Sequence, residues 1–234
     1  MSELDVIVRN SVNKIQILKY NSDYAIGDII FKKGKRWKYR IQKVKNDIKY
    51  KNTILQEYLN TNKKTTPNYF LLLKCIQNYN LKYDLPIPSK KEIVLHLRMG
   101  DAVMLDWYLN KNYIEQIKRI IKNNMIEKLT IVTCFSYGAW SKESLHLKQG
   151  APDWGFTDKK QQKNELLFSK LLTNILKEIN IPISIYSNED IDKDICYCVL
   201  AKFYIKDHGG FDDLTEKLNK LYLTTIRNKN KLKN

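Results

Sequence analysis

The sequence predicts an α/β protein with a parallel sheet in its C-terminal part and a reduced N-terminal part. Three observations lead there. From Ile93 onward, short apolar runs alternate with amphipathic stretches long enough for helices, the pattern of strands joined by crossover helices. The runs IVL (93–95) and LTIV (129–132) are apolar at consecutive positions, as strands buried on both faces require. Just before this pattern sets in, Asp84–Lys91 (DLPIPSKK) brings two prolines and then polar residues, and so reads as a border. The expected division is 1–88 and 89–234.

In the N-terminal part Val6–Val8, Ile15–Leu18 and Ile29–Phe31 read as short strands. Lys32–Arg40, KKGKRWKYR, is the densest basic run, interleaved with Trp37 and Tyr39, and reads either as a solvated edge or as a contact for an anionic ligand or nucleic acid. Helices are expected through Lys51–Leu59 and Tyr69–Tyr79, the second from the spacing of Phe70, Leu73, Ile76 and Gln77. Beyond the border, Ile93–Leu97 is a strand and Asn110–Met125 a helix, with Tyr113, Ile117, Ile120 and Ile121 on one face. Leu129–Phe135 is a strand. Gln161–Ile179 is a helix with Leu166, Leu167, Leu171, Leu172, Ile175 and Leu176 as its stripe. Ile183–Tyr186 is a strand, Ile191–Leu200 a short helix, Phe203–Ile205 a strand and Leu214–Ile226 the closing helix, followed by a frayed basic tail over Asn228–Asn234. Ser136–Lys160, between a strand and a helix, is long enough for a functional loop; its Tyr137, Trp140, Trp154 and Phe156 suit either a sugar ring or the loop's own packing.

Composition narrows the classes. The chain has 234 residues and a net charge of +16, which favours anionic partners such as nucleic acid or a phosphorylated substrate. An AT-rich coding sequence would give the same Lys, Asn, Ile and Tyr bias, so charge alone does not choose among them. No run is apolar enough to span a membrane. MSELDVIVRN has acidic residues where a secretory leader needs a basic start, so the expected location is the cytoplasm. Cys75, Cys134, Cys196 and Cys198 sit among apolar neighbours and read as reduced, small hydrophobes. With 3 histidines, no cluster has metal-ligand spacing, and no metal is expected.

The chemistry concentrates in His96-Leu97-Arg98-Met99-Gly100-Asp101. Alternation puts His96 and Arg98 on one face, roughly 7 Å apart along the strand. They stand at its carboxyl end, where open α/β sheets place ligands. Arg98 offers a fork of donors suited to two phosphate oxygens. Gly100 permits a sharp turn and close approach, and Asp101 has three open roles: orienting Arg98, binding a hydroxyl or acting as a base. The plain alternative is an Arg98–Asp101 ion pair closing a strand. A second stretch, Ala201–Leu214 (AKFYIKDHGGFDDL), runs from a strand through Gly209 and Gly210 into a helix that Asp212 or Asp213 can cap. Such a junction is either a tight turn or an anion site, because unpaired N–H groups and the helix dipole point the same way.

The HxRxGD segment resembles the motif of the α1,2/α1,6/protein-O-fucosyltransferase superfamily, and the AKFYI strand with its GGF turn is similar to the second donor-binding segment of such GT-B enzymes. The resemblance covers roughly residues 91–215. It implies a GT-B-like fold with a Rossmann-like donor domain over 89–234 and a reduced acceptor-side domain over 1–88. His96, Arg98, Gly100 and Asp101 would carry over from the first motif, with Arg98 on the β-phosphate of GDP-fucose. Gly209, Gly210 and Phe211 would carry over from the second. Ser187 and Asn188, just past a strand end, and His208 beside the glycines complete the expected donor site. The implied activity is transfer of a sugar from a nucleotide-sugar donor, GDP-fucose first, to a glycan or other hydroxyl acceptor. It would be an inverting displacement needing neither metal nor cofactor. Asp101, His96 and His208 are the candidate bases, and Asp106 is a poorer one. The competing expectations are a basic nucleic-acid-binding protein and a relative that binds nucleotide or glycan without turnover.

Overall fold

The computed structural model describes residues 52–62, 67–98, 112–134, 158–186, 191–207 and 209–231. Among these residues are six helices and a four-stranded parallel sheet. The elements run α1 (Ile54–Thr61), α2 (Tyr69–Lys82), β1 (Glu92–Arg98), α3 (Tyr113–Asn123), β2 (Lys128–Cys134), α4 (Asp158–Glu178), β3 (Ile183–Tyr186), α5 (Ile191–Val199), β4 (Phe203–Ile205) and α6 (Gly210–Lys231). The strand order is β3-β2-β1-β4. The α/β class with a parallel sheet therefore stands as expected.

Contacts gather the described residues into two compact units, one within 91–186 and the other formed by 52–90 together with 191–231. Each is built around its own buried residues, and the second is discontinuous along the chain, whereas the 88/89 border divides it once.

In the first unit β1 pairs with β2 over its whole length, from Glu92↔Lys128 to Arg98↔Cys134. β2 pairs with β3 from Leu129↔Ile183 to Val132↔Tyr186. β1 is buried from Glu92 to Leu97, with Ile93, Val94 and Leu95 at 0% exposure, so neither face of the strand meets water. The two faces differ in chemistry. Ile93, Leu95 and Leu97 share one with Leu129, Ile131, Ile183 and Ile185; Glu92, Val94 and His96 share the other with Lys128, Thr130, Val132, Ser184 and Tyr186. On this mixed face the buried Glu92 carboxylate accepts from Thr130 Oγ1 and has Lys128 Nζ at 3.9 Å, so a charge at the amino end of the sheet is partnered rather than stranded. Two consecutive right-handed crossovers running the same way put their helices on one side of a sheet, and Lys118 on α3 reaches Glu178 on α4 at 2.7 Å.

The second unit is held by helix ends. Thr53 caps α1, accepting from Gln56 N at 3.2 Å. Ile54 N donates to Asp192 Oδ2 on α5 at 3.0 Å, a buried carboxylate at a helix N-terminus, where the dipole favours it. α2 closes in a Schellman motif: Asp84 takes φ 46, Leu85 N reaches Asn80 O at 3.0 Å, and Asp84 N reaches Leu81 O at 3.3 Å. The expected border thus begins as a helix stop. α5 buries everything from Asp194 to Val199, and Asn219 of α6 donates to Val199 O at 2.9 Å and Ala201 O at 2.7 Å, satisfying carbonyls where α5 ends. Cys75, Cys196 and Cys198 are buried, in line with the small-hydrophobe reading. Burial raises the Cys75 thiol to about 12, aided by Glu57, which keeps it protonated and unreactive.

Four expectations change. α6 starts at Gly210 rather than Leu214, with Asp213 N bonded to Gly209 O at 3.0 Å. Gly209 is its cap, and Asp212 and Asp213 lie inside the first turn instead of capping it. α6 also continues to Lys231, through residues expected to fray, because lysines at a helix C-terminus are favoured by propensity and dipole alike. On α4 the buried stripe is Leu172 and Ile175, continued by Ile179 just past the helix end, while Leu166 is 70% exposed. Six residues before Leu172, it is turned about 120° away from that face. On α2, Phe70 is 70% exposed, and Leu72, Leu73, Cys75, Ile76 and Tyr79 form the buried side. The three N-terminal strands, the basic run 32–40 and the aromatic segment 136–157 lie outside the described residues.

Candidate functional site

β1 carries His96, Leu97 and Arg98 of the HxRxGD motif at the carboxyl end of a parallel strand, the end at which open α/β sheets bind ligands. Its first member, His96, is 8% exposed, on the mixed face of the sheet, in register with Val132. Arg98 is the last residue of the strand, opposite Cys134; its side chain is outside the described set. Gly100, Asp101, Asp106, Ser187, Asn188 and His208 lie outside the described residues too. Local sequence explains the delivery: a run apolar on both faces fixes the strand's depth, so the first polar positions fall where the sheet ends.

One residue of this end went unread in the sequence. Tyr186 closes β3 in register with Val132, so His96, Val132 and Tyr186 make one row across three strands. Its signal is register between strands far apart in the chain, which no local pattern reveals.

The glycine turn belongs to the second unit. Gly209 has φ 95, in the region that glycine enters without steric cost, and this bend lets the chain leave β4 and start α6 at once. Gly210 is the first helical residue, and Phe211 follows, half-buried. The N-terminus of α6 already holds an internal anion. Asp212, fully buried, accepts from Asp207 N at 3.1 Å and from the Tyr204 hydroxyl at 2.8 Å. Asp207 is itself buried, at 1% exposure. Outside, Lys206 bridges Asp213 at 3.1 Å and Glu216 at 2.8 Å, which holds Glu216 below the usual carboxylate range, while desolvation only partly opposes.

This arrangement pushes Tyr204 well above an ordinary phenol, through burial first and then the Asp212 carboxylate. An acid whose folded pKa is raised keeps its proton where the unfolded chain has lost it. Its contribution is therefore complete below the unfolded value, about 10, and declines as pH rises past it. Spectrophotometric titration of tyrosinate should show Tyr204 ionising only with alkaline unfolding, and Tyr204→Phe should remove that one late-titrating group.

Among the described residues no group of three His, Cys, Asp or Glu side chains is placed to hold a metal ion, and no helix is long and apolar enough to cross a membrane. Comparison with family models, with curated proteins and with solved structures finds no match to this chain.

Proposed function

We propose that the protein is a glycosyltransferase that takes its sugar from a nucleoside-diphosphate donor, GDP-linked and with fucose as the first sugar to test, and passes it to a hydroxyl of a glycan or similar acceptor. The observation that supports this reading most is the setting of β1. A strand buried on both faces, in a parallel sheet, ends on Arg98 with His96 two residues earlier, and Met-Gly-Asp follows in the sequence. An arginine at a strand's carboxyl end suits the negative charge that builds on a departing diphosphate, and a preorganised cation there lowers the barrier to displacement. The start of α6 at Gly209 and Gly210 already has the Asp212 carboxylate beside it, so the phosphate grip is assigned to Arg98. A base that takes the acceptor hydroxyl's proton would assist such an inverting displacement, and Asp101, His96 and His208 are the candidates.

A thermal-shift screen with GDP, UDP, GDP-fucose, UDP-xylose and RNA tests the reading. A donor present at 100 times its Kd should stabilise the fold by about 2.7 kcal/mol, a shift of about 5–11 °C for a chain of this size. The shift should appear with a nucleoside diphosphate and vanish in Arg98→Ala. A salt-sensitive shift with RNA alone, indifferent to Arg98, would turn the net charge of +16 into the better guide and replace this reading with nucleic-acid binding. Binding without transfer or donor hydrolysis would reduce it to a nucleotide-binding protein.

A further inference from the structure

Resting on that donor reading, we propose that Tyr186 is the residue on which the donor's base stacks. Its place in the sheet carries the argument. Tyr186 is in register with Val132, and Val132 with His96, so the three stand in one row on the same face of the sheet. This is the last row that all three strands share before β3 ends, on the side where parallel strands present ligands.

The row is not uniform. His96 is 8% exposed and Val132 is 0% exposed, whereas Tyr186 is only half-buried. It is closed over β1 and β2 and opens over β3. The chemistry is graded the same way: the β1 side ends in His96 and Arg98, and the β3 side in an uncharged ring. Tyr186 and His96 are two strand spacings apart, about 10 Å, a span that a nucleoside diphosphate covers from phosphate to base. A ligand laid across the strand ends thus meets cationic and hydrogen-bonding groups at its phosphates and an aromatic face at its base. A tyrosine ring suits that end because stacking needs a flat, rigid face rather than charge, and it is tolerant of which base is offered.

The test compares wild type with Tyr186→Phe and Tyr186→Ala by calorimetric titration of GDP and, separately, inorganic pyrophosphate. Base stacking predicts GDP binding about tenfold weaker or worse in Tyr186→Ala, close to wild type in Tyr186→Phe, and pyrophosphate binding unchanged in both. Should Tyr186→Ala not fold, Tyr186→Leu keeps apolar bulk without the ring and supplies the same comparison. Unchanged GDP affinity in the ring-less variant would overturn the assignment while leaving the donor reading intact. Equal weakening of GDP and pyrophosphate would also overturn it, because that is the signature of a side chain that merely supports the strand end. A wild-type protein that binds neither ligand would overturn the donor reading and this assignment with it.

Discussion

Replacing Asp212 with alanine is expected to lower the stability of the fold by roughly 3 kcal/mol, because two donors lose a charged acceptor at once. The carboxylate is fully buried and takes hydrogen bonds from the Tyr204 hydroxyl and the Asp207 backbone N–H. Leaving such donors unsatisfied away from water costs their desolvation, beyond the bonds themselves. Asp212→Asn keeps an acceptor at the same place and forfeits mainly the charge that the start of α6 favours, so it should cost clearly less. The exposed pairs nearby set the contrast. Breaking the Lys206–Glu216 bridge at the surface should change stability by less than about 1 kcal/mol, since solvent screens it. Urea unfolding, read as a shift in midpoint at constant slope, would rank the three variants.

Leu95→Ala is expected to cost about 2–5 kcal/mol, the range for truncating a buried leucine in a core that cannot collapse. Leu95 is 0% exposed and lies in register with Ile131, also at 0%, in the middle of the β1–β2 pairing. The next residue of that row, Ile185, is 39% exposed, so Ile185→Ala leaves a smaller cavity and should cost distinctly less. The gradient across one row of the sheet, measured in urea, checks that β1 and β2 hold the core of this unit while β3 lies towards its margin.

The parts legible in the sequence are those governed by local pattern. β3 and β4 begin and end where the apolar runs ISIY and FYI do, and β1 was readable as doubly buried because IVL leaves no solvent face. What escaped depends on groups distant in the chain. Nothing near Ile54 announces that Asp192, 138 residues away, accepts its N–H. Phe70 fits a helical stripe as well as Leu72 does, and only the packing of α2 decides which is buried. The glycines before α6 read as a loop because glycine is a poor helix former. The structure uses Gly209 as the cap at φ 95 and places Gly210 inside the helix. The candidate site divides in the same way. His96 and Arg98 could be placed at a strand end from alternation alone, whereas Tyr186 joins them only through register across β2.

Calorimetric titration of GDP into wild type, Arg98→Ala and Arg98→Lys asks directly whether Arg98 is a phosphate ligand. Wild type should bind. Arg98→Ala should bind at least about tenfold more weakly, a loss of about 1.4 kcal/mol, and Arg98→Lys should not restore the affinity, because an ammonium group lacks the guanidinium's paired donors. Equal affinity in wild type and Arg98→Ala, with both proteins folded, would show that Arg98 does not hold the phosphates.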